Sequence, residues 1–180
     1  MGDAPIAEAP LGRKQRAVAI GAGGALALSI GLFFVSPHLR EFAAAPRGLI
    51  WATATAGPLV CLLLAVGAVG NHRFFSRDDI DAAMGGAPSP RLRVMQAVLQ
   101  NTLEQSVLAI GTYGLLSFFL PTRMAWLPML MAGAFVAGRA AFAIGYRRGA
   151  AGRAFGFALT LYPTVIGLFY GIYLAARWWL

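Results

Sequence analysis

Acidic residues are scarce in this chain. Seven Asp and Glu stand against fifteen Lys and Arg, and charged residues of both signs make up only 12% of the 180 positions. Ordinary soluble domains carry roughly twice that charged fraction, so a solvated globular surface is excluded for most of the chain. Cysteine is nearly absent as well. The single Cys61 cannot close an intrachain disulfide, lies in an apolar run, and reads as a small core residue. His38 and His72 stand apart and no CxxC occurs, so no metal site is expected. A net charge of +8 would point to nucleic acid in a soluble protein, but no basic face here alternates with exposed aromatics. It reads instead as basic loops beside anionic lipid head groups, with no nucleic-acid partner.

What is present is apolar length. Hydrophobic residues make up 58% of the chain, and the mean hydropathy is +0.66. Five apolar segments run over about residues 17–35, 48–70, 94–120, 124–146 and 154–176. Each is long enough to cross a hydrocarbon core of about 30 Å at about 1.5 Å per residue. This predicts an all-α, multi-pass integral membrane protein in contact with membrane lipid. The first segment follows "RKQR", but its apolar run is longer than the roughly 7–15 residues of a signal-peptide core, so a retained helix is expected. Pro37, Pro46 and Pro121 mark turns, while Pro58 and Pro163 fall inside segments and predict local kinks.

Loop charge predicts the orientation. With a cytoplasmic N-terminus and five crossings, ten of the 15 Lys and Arg residues fall on or near the cytoplasmic side. Arg40, Arg47, Arg123 and Arg177 fall on the other side, and Arg139 lies within a span. The bias favours this topology; in a bacterium the membrane would be the cytoplasmic one. In the longest loop, 71–93, Ser76 and Asp79 resemble a capping box, which predicts a short interfacial helix from about Arg77 to Met84. Phe74 and Phe75 are expected at head-group level.

Glu104, in "QNTLEQ", is the only acidic residue within any of these segments. A charged side chain at the centre of a membrane helix costs about 2.5–3.5 kcal/mol on insertion scales, so it is normally sheltered and often functional. Asn101 and Glu104 are three residues apart and share a helical face. Gln96 and Gln100 form a flanking polar row, and Arg93 stands at the cytoplasmic end of the stripe. Helix-to-helix hydrogen bonding is one explanation of such a stripe; a ligand site is the other. The next segment bears on the choice. In "GRAAFAIGYRRG", Arg139, Phe142 and Tyr146 again share one face, and Arg153 follows Tyr146 by seven residues. Arg139 is positioned either to pair with Glu104 or to snorkel to the interface.

"QNTLEQ" followed by "GRAAFAIGYRRGAAGRAFGFAL" resembles the MAPEG family, the membrane-associated proteins of eicosanoid and glutathione metabolism. The resemblance covers roughly residues 48–176. It implies a four-helix transmembrane bundle over residues 48–180, preceded by a tail and an additional transmembrane helix over 1–47. It also implies a homotrimer with glutathione bound between subunits near the cytoplasmic side. On that resemblance Asn101 and Glu104 would hold the tripeptide, Arg139 and Tyr146 would line the same site, and Arg153 would stabilise the thiolate. The chain differs from the eicosanoid-type enzymes at three positions: Ala97 replaces an arginine, Phe142 a tyrosine, and Gln105 an aromatic. Arg93, one turn before Ala97, is the nearest replacement for the missing cation.

The function expected is therefore activation of glutathione, or a related thiol, against a lipophilic electrophile, in transferase or peroxidase chemistry. The alternative is a non-catalytic structural or lipid-binding membrane protein with Glu104–Arg139 as a buried pair. Proton-coupled transport fits poorly, because no second acidic residue continues a path beyond Glu104. "GLFYG" at 167–171, with Gly133 and Gly138, predicts close helix approach. Tyr162, Tyr170, Tyr173, Trp178 and Trp179 supply interfacial anchors at the far end of the last helix.

Overall fold

The computed structural model describes residues 11–39, 45–81 and 87–180. Each apolar segment holds a helix: α1 Leu11–Val35, α2 Arg47–Phe75, α3 Pro90–Phe119, α4 Leu127–Gly145 and α5 Gly149–Trp179. α1, α2, α3 and α5 begin before their apolar stretches because, once nucleated, each added residue brings its own hydrogen bond, whereas α4 lies within its stretch. α2 and α5 continue as helix through Pro58 and Pro163, both buried. Leu11–His38, Arg47–Phe75 and Thr122–Trp179, the last containing both α4 and α5, are long and apolar enough to cross a membrane. α3, at 30 residues, spans about 45 Å, but its polar stripe lowers its apolar character.

α2 packs on α3 and α4 on α5, and α2–α4 and α3–α5 contacts close the four-helix bundle, while α1 joins it mainly through α5. The bundle centre is filled by Tyr113 and Leu116 of α3 and by Leu127, Met131 and Phe135 of α4. The outer faces stay apolar: Leu63 and Leu64 of α2 and Phe169 of α5 are all exposed, as lipid-facing residues should be. This is an all-α membrane bundle.

Glycines set the closest contacts. Gly138 and Gly145 of α4 face Gly152 and Gly156 of α5, and a Cβ added at Gly156 would sit 2.6 Å from the Gly138 carbonyl oxygen. Gly167 lies against Met131 and Leu116, and Gly171 against Leu115, so the expected GxxxG pair does bring helices together within the chain. Gly133 meets nothing nearby. Tyr173, Trp178 and Trp179 are exposed at the end of α5. Tyr162 instead packs beside Ala158 and Leu159, and the Tyr170 hydroxyl donates to the Met124 Sδ at 3.6 Å.

The α2–α3 loop differs from the expected interfacial helix. Residues 77–81 form turns, and the part of that helix from 82 to 84 lies outside the described residues. Asp79 explains the difference. Its carboxylate is buried and accepts from the Ser89 backbone N–H at 2.9 Å, the Ser89 hydroxyl at 2.6 Å and the Ser76 hydroxyl at 3.3 Å. His72 Nε2 lies 2.9 Å from the same carboxylate. Asp79 thus ties the end of α2 to Ser89, whose Oγ caps α3 by accepting from the Leu92 N–H. The Ser89 backbone N–H and hydroxyl, with His72 and Ser76 adding to them, hold the Asp79 carboxyl down at about 2, against an ordinary 3.8. Since the unfolded loop then binds more protons, this tie is fully formed above about 4 and is lost as pH falls through about 2. Asp79→Asn should abolish that acid step, as read by proteolysis of the loop between pH 5 and 2. An unchanged acid profile in the variant would assign the step elsewhere.

Candidate functional site

The α4–α5 connection builds the site. A short 3-10 turn, Tyr146–Arg148, ends at Gly149, where φ is +79°. That backbone conformation suits glycine because it has no Cβ. The turn reverses the chain within three residues and sets the Arg153 guanidinium over the Tyr146 ring, 4.6 Å from its centroid. Phe142 meets Tyr146 edge-on at 5.4 Å.

These residues open onto a cleft of about 530 Å³ lined by Ala97, Gln100, Asn101 and Glu104 of α3. Phe142 of α4, Tyr146, and Ala150, Arg153, Ala154 and Phe157 of α5 complete it, with Val18 of α1. Four of the six expected site residues, Asn101, Glu104, Tyr146 and Arg153, therefore line one cavity. Arg139 lies behind it and Arg93 outside it. Arg93 is exposed in the first turn of α3, about 12 Å along the axis from Asn101 at about 1.5 Å per residue. Its stem would have to fold back over a full turn to reach the cleft.

Arg139 is 5% exposed. It donates from Nη1 to Asn101 Oδ1 at 2.8 Å and from Nη2 to Thr160 Oγ1 at 2.8 Å. Its guanidinium also lies 4.4 Å from the centroid of the Phe142 ring, a favourable cation–π distance. Arginine has no acceptor, so the Asn101 atom facing it is the carbonyl oxygen, and the amide's two N–H donors are turned away from it. Asn101 is thus both the clamp on a buried cation and a donor within the cleft lining.

The expected Glu104–Arg139 pair is not formed. Glu104 is exposed on the chain's surface and accepts from Gln100 Nε2 at 2.9 Å, while Arg139 is spent on Asn101 and Thr160. The physical reason is reach: Asn101, one turn closer to Arg139, takes the guanidinium, and Glu104 is left on the cleft side. Thr160 and Val18 were not singled out by sequence. Thr160 sits in an apolar run where a lone hydroxyl carries no signal, and Val18 belongs to a helix with no polar stripe.

Replacing Asn101 by Ala should strand the Arg139 Nη1 donor. Losing one partner of a buried charged group costs about 1–3 kcal/mol, more when the charge is full. Asn101→Ala should therefore melt below wild type, and adding Arg139→Met should recover much of the loss, because the uncompensated charge goes with it. A double variant no more stable than Asn101→Ala would show that the clamp is not what Asn101 contributes.

A helical membrane bundle, with a polar cleft at one end of its third helix and a guanidinium stacked over a tyrosine, defines the class of protein. The MAPEG family model matches residues 48–173, and the chain belongs to that family. No curated protein and no solved structure gives a match.

Proposed function

We propose that this protein is a membrane-embedded thiol transferase that binds glutathione, or a related thiol, in the α3–α4–α5 cleft and delivers its sulfur to a lipophilic electrophile. The observation that carries this reading is the convergence of Asn101, Glu104, Tyr146 and Arg153 on one cavity in a chain otherwise poor in polar groups. Helix glue alone would not leave an amide donor, a carboxylate and a guanidinium lining the same space.

The chemistry follows from these groups. Arg153 stays charged and favours the thiolate over the thiol, so the proton passes to water and the sulfur becomes the nucleophile. Carbon–sulfur bond formation then expels the leaving group of the electrophile with its electron pair. Asn101 donates to a carbonyl or carboxylate of the thiol's backbone, and Glu104 accepts from its ammonium. Ala150, Ala154 and Phe157 give the cleft an apolar side for a substrate arriving through lipid. With a hydroperoxide as electrophile, the same thiolate would attack its terminal oxygen and break the O–O bond, giving a sulfenic acid and an alcohol. A second thiol would then displace water from that sulfur to release the disulfide.

Assembly belongs to the same reading. Glu104 is exposed on the single chain at a depth where contact with lipid is costly. A homotrimer, as in the family, covers it with a neighbouring subunit and completes the cleft. Among the described residues only Arg153 supplies a cation to the lining, and Ala97 occupies the position where eicosanoid-type relatives carry arginine.

The test is stabilisation of the detergent-purified protein by an added thiol ligand, since a ligand that binds only the folded state raises apparent stability by mass action. Reduced glutathione at about 100 times its Kd should add about 2.7 kcal/mol, and Asn101→Ala should reduce that gain. No shift at millimolar glutathione would favour another thiol or the non-catalytic, lipid-binding reading, in which the Asn101–Arg139–Thr160 network is purely structural.

A further inference from the structure

We infer that α1, which lies outside the family-matched residues 48–173, is a specificity wall. Val18 bounds the apolar side of the cleft and limits which lipophilic groups can occupy it. This rests on the thiol-binding reading above and assigns α1 a role within it.

The geometry comes from how α1 is seated. Val18, Gly21, Ala25 and Ser29 fall at spacings of three, four and four residues, which is one helical face. Ala25 and Ser29 are completely buried. The Ser29 hydroxyl is satisfied within α1 by donating to the Ala25 carbonyl at 2.6 Å, so it makes no polar demand on α5. At Gly21 the two helices are in close contact: a Cβ there would lie 3.2 Å from the Phe155 backbone N and 3.6 Å from the Ala154 Cβ. Four residues on, Ala25 packs with Ala158 and Leu159. The four-residue advance along α1 matches a four-residue advance along α5, so the helices run parallel and in register.

That register decides where Val18 falls. Ala154 both meets the Gly21 position and lines the cleft. One turn before Gly21, Val18 is therefore carried past the edge of α5 to the same cavity, beside Ala150, Ala154 and Phe157. These three α5 residues are apolar, with Arg153 the charged member of the same helix, and Gln100, Asn101 and Glu104 come from α3. The opposite face of α1, with Ile20 and Phe34 exposed, suits lipid. α1 thus stands between bilayer and cleft, and the side chain at position 18 sets the room left for the electrophile's apolar body.

The test uses Val18→Cys in a Cys61→Ala background, with the rate of alkylation by N-ethylmaleimide as readout. Two ligands are compared, S-methylglutathione and S-hexylglutathione, which share the tripeptide and differ in apolar reach. With each about tenfold above its Kd, mass action leaves about a tenth of the sites open. S-hexylglutathione should slow alkylation about tenfold, and S-methylglutathione by less than about twofold. Val18→Trp gives a second measure: it should weaken S-hexylglutathione at least about tenfold and leave S-methylglutathione within about threefold. Equal protection by both ligands, or protection by neither while both stabilise the protein, overturns the wall and leaves thiol binding standing. Failure of both ligands to stabilise the wild type overturns the thiol reading, and the wall falls with it.

Discussion

Arg153→Ala is expected to lower kcat by about 10²–10³-fold, the range seen when one preorganised group stabilising a developing anion is removed. The Kd of the thiol should change far less. The argument is electrostatic. Arg153 is half-buried, in the first turns of α5, with its guanidinium held over the Tyr146 ring at 4.6 Å. The short turn through Gly149 fixes both partners, so the charge is positioned before any ligand arrives. A guanidinium placed there in a low-dielectric cleft favours thiolate over thiol, a difference felt by the nucleophile and hardly by the tripeptide backbone. The near-ultraviolet absorbance of the bound thiolate separates this role from a structural one. It should fall in Arg153→Ala and recover in part in Arg153→Lys, which restores the charge without the planar fork. Parallel losses in kcat and in thiol affinity would make Arg153 a binding residue only, since an interaction used in both states lowers affinity without a selective effect on kcat.

The second large effect lies away from the polar groups. Gly156→Val should lower apparent stability by about 3 kcal/mol or more, at or beyond the upper end of ordinary overpacking. At about 2–4 °C per kcal/mol, that is a fall in Tm of roughly 6–12 °C. Most overpacked positions relax by moving a neighbouring side chain. Here a Cβ would meet the Phe142 backbone N and, at 2.6 Å, the Gly138 carbonyl oxygen, and helix backbone cannot yield without separating α4 from α5. Separation would also displace Phe157 and Arg153 relative to Phe142 and Tyr146, so thiol binding should weaken together with stability. Gly67→Ala is the matched control, because a Cβ at Gly67 of α2 meets nothing within 4 Å. A Gly156→Val protein as stable as the control would mean that the α4–α5 contact is looser than its glycines indicate.

The membrane class, the five helices and four residues of the cleft lining, Asn101, Glu104, Tyr146 and Arg153, were legible in the sequence because each rests on local chemistry. Apolar runs of membrane length declare helices wherever they fold. The Asn101-x-x-Glu104 spacing declares a shared face, and the isolated carboxylate declares a place that lipid cannot cover. Membership of the family could be read for the same reason, since its motifs are short and continuous in the chain.

Partner choice was not legible. Whether Arg139 would take Glu104 or Asn101 depends on the rotation and rise of α4 against α3, which the motif does not encode. Arg93 falls outside the cleft because the stripe on α3 is longer than the surface its neighbours enclose. Asp79 was expected in a helical cap and instead locks the loop through Ser89, ten residues on, a contact that local pattern does not encode. Val18 is the clearest case. Nothing in α1 distinguishes it from other apolar residues on a lipid-facing helix. Its position on the cleft exists only because Gly21 and Ala25 pack in register with Ala154 and Ala158. Sequence by itself determined which side chains have to avoid lipid; tertiary packing decided which of them meet, because close contact between helices is a property of two surfaces at once.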